Sequence, residues 1–504
     1  MKNALISVSD KRNLYELAQT LIKNDYVIYA TGKTYTYLMD KLVTVHKVES
    51  LTKYPEMMDG RVKTLHPKIH GGILGKRNNA SHCEDALRLD IPWIDLVVVN
   101  LYPFKETVMD QSKIFEEVID QIDIGGTALI RSAAKNFQFV DVLVDPDDYT
   151  TIMNELNQHQ TISQATKKRL AAKAFNHTAH YDALIAAYFN EEEFPQKLSL
   201  PFEKKLSLRY GENPHQNAAF YINPFSPVEM LNHYEPLHGK ALSYNNIIDI
   251  DAAIKLLRTF NKPTAVVLKH TNPCGVASAI DITTAFKKAH EADPISIFGG
   301  IVALNETVHE ELAHLLNALF LEIIIAKDFS EAALMILSKK KNIRLIKANL
   351  EKNKATYEYK SVENGLLVQQ SDELDSYNLE VLTTLKPSEE DIKQLLFAYK
   401  VVKSVKSNAI VIAKNEKTLG IGAGQMSRVL AAHIALNQAS NEACEAYMAS
   451  DGFFPMPDSI EHAKTFNIKA IIQPAGSIKD QTIIDACNKH GIIMVKTGIR
   501  HFKH

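Results

Sequence analysis

Residues 4–30 read ALISVSDKRNLYELAQTLIKNDYVIYA, and this stretch decides the fold class. Ala4–Val8 is a mostly apolar run of strand length. Ser9 or Asp10 then offers a helix cap, and Leu14, Leu17, Ala18 and Leu21 fall on one helical face. Tyr26–Ala30 supplies the next strand. Strand, helix, strand in so few residues predicts an α/β sheet. The continuous apolar run Leu96–Val99 reads as a strand buried on both faces, as parallel sheets require. Phe139–Val144 is a similar run, interrupted only by Asp141.

Working outward, Lys168–Phe189 is a long alanine-rich helical stretch, which Glu191-Glu192-Glu193-Phe194-Pro195 stops. The spacing places a domain boundary near residue 195, giving domains 1–195 and 196–504. The second domain resumes strand and helix alternation, with strands expected at Thr264–Lys269, Ile295–Val302, Leu321–Ala326, Ala409–Ala413, Ile468–Ile472 and Ile492–Val495. A chain of 504 residues exceeds what one hydrophobic core normally supports.

Composition narrows the function classes. Apolar residues make up 46% and charged residues 23%, and the net charge is −2. Such a chain has no excess charge for nucleic acid or anionic lipid, so phosphate recognition must be local. With no signal-peptide core and no 18-residue apolar span, the expectation is a cytoplasmic protein with no membrane or nucleic-acid partner. Four widely spaced cysteines, Cys83, Cys274, Cys444 and Cys487, argue for reduced, mostly buried thiols and against a disulfide framework or structural zinc.

Three partial motifs fail on single residues. Thr31-Gly32-Lys33-Thr34 would end an ATPase phosphate loop, but Val27 stands where that loop needs glycine. Gly420-Ile421-Gly422-Ala423-Gly424-Gln425 lacks the third glycine of a dinucleotide fingerprint. Pro273-Cys274-Gly275-Val276-Ala277 resembles half of a zinc deaminase signature, with Ala277 replacing the second cysteine, so no metal is expected.

The remaining polar, glycine-flanked clusters lie at strand ends, where open α/β sheets bind ligands. One group suits a phosphomonoester: Ser7-Val8-Ser9-Asp10-Lys11, Ala30-Thr31-Gly32-Lys33-Thr34, and Asp59-Gly60-Arg61-Val62-Lys63-Thr64-Leu65-His66-Pro67. Asn100-Leu101-Tyr102, Asp123-Ile124-Gly125-Gly126, Arg131 and Lys135 add an acid, a phenol and a lysine, which suits condensation of an amide nitrogen onto a formyl carbon. A second group comprises Leu208-Arg209-Tyr210-Gly211-Glu212-Asn213-Pro214-His215-Gln216 and Lys269-His270-Thr271-Asn272-Pro273, where Asn272-Pro273 is expected to turn the chain. It continues with Lys406-Ser407-Asn408, Gly422 to Arg428 with Gln425, Ser450-Asp451-Gly452-Phe453-Phe454-Pro455, and the tail Arg500-His501-Phe502. The phenylalanines suit stacking on a planar heterocycle, and Arg500 suits a phosphate.

In this order, Asp-Gly-Arg-Val-Lys-Thr-Leu-His-Pro, Leu-Arg-Tyr-Gly-Glu-Asn-Pro-His-Gln, Lys-His-x-Asn-Pro-Cys-Gly, Gly-Ile-Gly-Ala-Gly-Gln and Ser-Asp-x-Phe-Phe-Pro resemble the bifunctional phosphoribosylaminoimidazolecarboxamide formyltransferase and inosine monophosphate cyclohydrolase family over essentially the whole chain. The resemblance implies an N-terminal methylglyoxal-synthase-like open parallel sheet and a C-terminal transformylase domain of two cytidine-deaminase-like α/β halves without zinc. It implies formyl transfer from 10-formyltetrahydrofolate to the carboxamide ribotide, then dehydrative closure to inosine monophosphate, by a homodimer with no metal required.

Carried onto these positions, Ser7, Ser9, Lys11, Thr31, Gly32, Thr34, Arg61, Lys63 and Thr64 would hold nucleotide in the first site, with Asn100, Gly125 and Gly126 beside them. Lys63, Tyr102, Asp123 and Lys135 would assist ring closure. Arg209, Tyr210, Asn408, Gln425, Asp451, Phe453, Arg500 and Phe502 would bind the ribotide in the second site, where Lys269 and His270 would serve formyl transfer. Lys33 replaces a glycine usual in the family and Ala30 a serine. That departure leaves a rival expectation, a transformylase with an impaired cyclohydrolase.

Overall fold

The computed structural model describes residues 2–58, 60–226, 234–351, 357–374 and 376–504. Asp59, at the head of the cluster at 59–67, lies outside the described residues. The chain divides into two compact units, Met1–Glu203 with Asn223–Phe225, and Lys204–Ile222 with Ser226–His504. The change of unit falls after the expected position near 195. Glu203 is held within the first unit by Lys105 Nζ at 2.7 Å and His180 Nε2 at 3.2 Å.

The first unit is a five-stranded parallel sheet of β1 (Lys2–Val8), β2 (Tyr26–Ala30), β3 (His46–Lys47), β4 (Leu96–Asn100) and β5 (Asp141–Leu143), in the order β3-β2-β1-β4-β5. The chain winds outward from β1 to β3 and then restarts beside β1 with β4. This reversal opens a crevice at the carboxyl ends of β1 and β4. Helix Leu14–Lys23 buries Leu14, Leu17, Ala18 and Leu21, the face read from the sequence. Its N-cap is Asn13 rather than Ser9 or Asp10, because the Asp10 carboxylate takes the Arg12 amide at 2.9 Å and Ser9 is bound to Asn100. The long helix spans Gln164–Phe189.

The second unit carries an eleven-stranded sheet built from two halves of the same plan. In the first half, hairpin Thr264–Lys269/Asn272–Ser278 is followed by Ile301–Val308, antiparallel to Thr264–Lys269, and then by parallel Ile323–Phe329 and Arg344–Lys347. In the second half, hairpin Ile410–Lys414/Lys417–Gly422 is followed by Tyr447–Ser450, Ala470–Gln473 and Ile493–Lys496 with the same pairings. The halves join where Lys417 pairs with Ala277, and Glu380–Val381 closes the far edge.

Alternating strand residues feed opposite cores. Val266 and Leu268 meet helices Tyr244–Leu257 and Glu389–Val402 on a face shared by both halves, while Ala265 and Val267 meet the first half's own outer helices. Three expectations change. Asn272–Ser278 is a strand, so the turn lies at His270–Thr271, one step before Asn272-Pro273. The strand expected at Ile295–Val302 is Ile301–Val308, and Ile295 is 84% exposed. Of the four free thiols only Cys487 is buried, and Cys444 is exposed.

Small residues mark where helices press on the sheet. A Cβ on Gly420 would stand 2.0 Å from the Ala435 carbonyl oxygen, and one on Gly275 would stand 2.1 Å from that of Ala289. The glycine run at 420–424 thus begins as a packing device.

Candidate active sites

In the first unit, the ends of β1, β2 and β4 converge. Ser7 Oγ lies 2.8 Å from Thr31 Oγ1, and Thr34 Oγ1 bonds both the amide and the carbonyl of Val8 at 3.1 Å. Asn100 Oδ1 accepts from Ser9 N at 2.7 Å, Ser9 Oγ at 3.0 Å and Asp10 N at 2.8 Å. Its carbonyl is therefore spent clamping the loop after β1, a different use from the substrate contact expected. Thr31 is the N-cap of helix Gly32–Asp40 but its hydroxyl makes no capping bond, and while the Thr34 amide is taken by the Thr31 carbonyl at 2.9 Å, the Gly32 and Lys33 amides are left to another acceptor.

Lys63 reaches over this helix start. A Cβ on Gly32 would lie 3.7 Å from Lys63 Nζ, and one on Gly60 only 2.9 Å from it, while Glu56 Oε2 is 3.6 Å away. Asp123 caps helix Ile124–Lys135, accepting from Gly126 N at 2.6 Å and also from the Tyr102 amide, and it feels the charge of Lys63. A Cβ on Gly125 would come 2.9 Å from Thr64 Oγ1. Lys63, Thr64, Tyr102, Asp123, Gly125 and Gly126 thus form one cluster. Burial raises the Asp123 carboxyl above the usual carboxylate range, against the pull of the two amides and Lys63.

Other expected residues stand apart. Lys11 Nζ is turned to the Ser9 carbonyl at 3.2 Å, and Arg61 is paired with Asp120 on the surface. Lys135 occupies the opposite end of the helix that Asp123 caps, about 18 Å away at 1.5 Å per residue. Lys33 is exposed and its φ is outside the left-handed region, so this position does not require glycine.

In the second unit, Lys269 and His270 sit at the tip of the first hairpin. Lys269 pairs with Asn272, leaving His270 and Thr271 as a two-residue loop with φ of 52° and 64°. Such loops favour Asn-Gly, and a β-branched residue held there marks strain. Lys269 Nζ donates to the Phe298 carbonyl at 2.8 Å, and Asp249 Oδ1 takes the Thr271 amide at 2.7 Å.

A network ties this tip to the second half. Asn272 Oδ1 takes the Lys406 amide at 3.0 Å, and the Lys406 carbonyl takes the Gly424 amide at 2.7 Å. Asn408 and Gln425 exchange backbone bonds. Arg428, a residue the sequence reading left unassigned, is buried and donates to Asn408 Oδ1 at 2.8 Å, to Ser450 Oγ at 2.8 Å and to the fully buried Asp451. Asp451 also takes the Ala409 amide at 3.1 Å and the Ser407 hydroxyl. Asp451 and Asn408 therefore shape the crevice from behind, and Gln425 folds its own amide back to the Ala423 carbonyl at 2.7 Å.

The residues left outward are Phe453, Phe502 and Arg500. The Arg500 guanidinium lies 4.7 Å above the Phe502 ring, whose edge packs where a Gly452 side chain would stand. Phe453 is 37% exposed while its neighbour Phe454 is fully buried, so only the first is free to stack on a ligand. Arg209 stacks on Tyr210 at 5.6 Å, and their loop is bound to the helix of Asp249 through Asn245 and the Glu212 carbonyl at 3.4 Å. Among the described residues, no three His, Cys, Asp or Glu side chains group as a metal site, and no helix is long and apolar enough to cross a membrane.

A separate cavity of about 1010 Å³ in the first half is lined by Phe260, Asn305, Lys327 and Glu351 at the opposite end of the sheet from His270. It is the first half's version of the crevice just described: Asn305 takes the Thr264 amide at 2.7 Å as Asp451 takes that of Ala409.

The AICARFT/IMPCHase bienzyme model matches residues 133–438, and the MGS-like domain model matches residues 13–128. The chain belongs to the AICARFT/IMPCHase bienzyme family. "Bifunctional purine biosynthesis protein PurH" of Thermoanaerobacter sp. (strain X514) is 52% identical over the whole of both chains, and those of Bacillus cereus (strain ATCC 10987 / NRS 248) and Bacillus anthracis are 50% identical over the same extent. The solved "Crystal structure of ForH" is 36% identical, covers 38% of this chain and 97% of its own, and superposes with a TM-score of 0.34, a likeness too weak to say anything of the fold. This enzyme formylates the aminoimidazole carboxamide ribotide, with a formyltetrahydrofolate as cosubstrate, and closes the product to inosine monophosphate.

Proposed function

We propose that ring closure takes place at the β1–β4 crevice and formyl transfer at the His270 hairpin, and that the single observation carrying this division is the gathering of Lys63, Tyr102 and Asp123 in one unit and of Lys269, His270 and the Arg500–Phe502 tail in the other. In the first site, the amides starting helix Gly32–Asp40, with Ser7, Thr31 and Lys63, suit the phosphate. Asp123, made a better proton acceptor by burial, takes the amide proton as the nitrogen attacks the formyl carbon. Lys63 and the Tyr102 hydroxyl stabilise the resulting oxyanion and return a proton as water leaves.

In the second site, the conjugated amine of the ribotide is weakly nucleophilic, so His270 takes its proton as nitrogen attacks the formyl carbon of 10-formyltetrahydrofolate. Lys269 faces the tetrahedral oxyanion, and collapse expels the folate nitrogen, which picks up the proton to give tetrahydrofolate. Arg500 suits the phosphate and Phe453 and Phe502 the imidazole ring.

The family resemblance supports a cytoplasmic homodimer that needs no metal. Lys135 stands at the far end of the helix that Asp123 caps and takes no part in the step proposed. Release of tetrahydrofolate from 10-formyltetrahydrofolate and the carboxamide ribotide, followed by absorbance in wild type and His270→Ala, tests the second site. Loss of at least about a hundredfold is expected for removal of a general base, and an unchanged rate would refute it.

A further inference from the structure

The two halves of the second unit contain the same hairpin, and comparison of the two separates what the fold needs from what His270 needs. In the second half, Lys414 pairs with Lys417, and the loop Asn415–Glu416 has φ of 55° and 52°, matching His270–Thr271. In both halves the second loop residue gives its amide to a side chain of the helix entering that half. Glu416 N donates to Gln394 Oε1 at 2.9 Å, and Thr271 N donates to Asp249 Oδ1 at 2.7 Å. Both helices begin with a serine capping box, at Ser243 and Ser388, and Asp249 and Gln394 each lie six residues beyond it. A neutral amide therefore suffices to hold this loop. The half that bears the histidine has a carboxylate instead.

We propose that Asp249 is a positioning residue for formyl transfer, holding the His270–Thr271 loop through its acceptor oxygen and supporting, through its negative charge, the imidazolium formed when His270 takes the amine proton. This rests on the reading of His270 given above. Asp249 and His270 are close enough to interact electrostatically, and Asp249 is half-buried, where a charge is weakly screened. The other charged groups about the loop are few. Lys269 has its Nζ turned to the Phe298 carbonyl; Glu322 takes Asn246 Nδ2 at 3.1 Å and lies near Asp249; Lys406 gives its backbone amide to Asn272. The arrangement parallels the carboxylate that orients a catalytic histidine in hydrolytic triads, with the orientation here passed through the backbone of the neighbouring residue.

The experiment is steady-state formyl transfer across pH by the full-length enzyme with Asp249→Gln, which copies the second half's own solution and keeps the acceptor. The expected result is a kcat lower by about tenfold or more, a KM for the ribotide within about twofold of wild type, and an acid limb moved to lower pH, since loss of the negative charge makes the base harder to protonate. Ring closure of the preformed formyl ribotide should be unchanged. A wild-type kcat and pH profile would overturn the proposal, because the acceptor alone would then suffice. A parallel loss of kcat and KM with a lowered melting temperature would overturn it too, since that is a purely structural role; Asp249→Asn is read by the same criteria if the glutamine variant does not fold. His270→Ala in the same assay distinguishes the two claims: if it still transfers formyl at the wild-type rate, the reading of His270 fails, whereas an inactive His270→Ala beside an unaffected Asp249→Gln sinks only the role of Asp249.

Discussion

Asp123 is half-buried at a helix start between the Gly126 and Tyr102 amides, and its partial burial outweighs their pull on its carboxyl. A carboxylate that must accept a proton fails once protonated, so ring closure should fall on acidification at a pH above the ordinary carboxylate value. Asp123→Asn should abolish this limb and lower kcat by about 10² to 10⁴, measured by conversion of the formyl ribotide across pH. Asp141 carries the opposite lesson. It is buried beside β4, 3.2 Å from Lys167 Nζ, and burial pushes its carboxyl up to about 6. Between the ordinary carboxylate value and about 6 the native state binds the extra proton. Its contribution to stability is therefore greatest at low pH and is lost as pH rises through about 6. Asp141→Asn should flatten the first unit's melting temperature over that window, and an unchanged slope would count against the assignment.

At the scale of elements, glycine is read too easily as a breaker. Lys417–Gly422 escaped recognition as a strand because Gly420 and Gly422 read as a ligand loop, whereas they admit helix Arg428–Ala439 to the sheet. Gly420→Ala should cost about 1–3 kcal/mol by overpacking against the Ala435 carbonyl, read as a lowered urea midpoint. The hairpin tip was obscure for the converse reason, since His270-Thr271 has neither the glycine nor the asparagine that announces such a turn. The strand Thr264–Lys269 was legible from its β-branched, apolar run, and the helix face Leu14, Leu17, Ala18, Leu21 from its period. Arg428 was legible in principle: with Ala431, Ala432 and Ala435 it occupies i, i+3, i+4, i+7 of one buried face, where a lone charge demands a partner. Which partner, Asp451, depends on strand pairing that no local pattern reveals. Lys33 shows that a departure from a family pattern need not touch the backbone. Lys33→Gly should leave the ring-closure rate unchanged, because the native φ there suits any residue.

For the molecule as a whole, the repeat inside the second unit sets the crevice proposed for formyl transfer beside a counterpart of the same plan. Each half supplies a hairpin and a crevice, yet among the described residues the second half has the buried Arg428–Asp451 pair where Asn305 stands at the matching place in the first. Removing one partner of a buried pair strands the other, so Arg428→Ala should cost about 3–5 kcal/mol and remove formyl transfer. Ring closure should persist, because the residues proposed for it lie in the other unit. The most direct measurement of this division is a reciprocal pair of time courses with Lys63→Ala and His270→Ala, monitoring tetrahydrofolate and inosine monophosphate separately. Lys63→Ala should release tetrahydrofolate at the wild-type rate while formyl ribotide accumulates, and His270→Ala should release none yet close supplied formyl ribotide at the wild-type rate. Loss of both activities in either variant, with the fold intact, would contradict it.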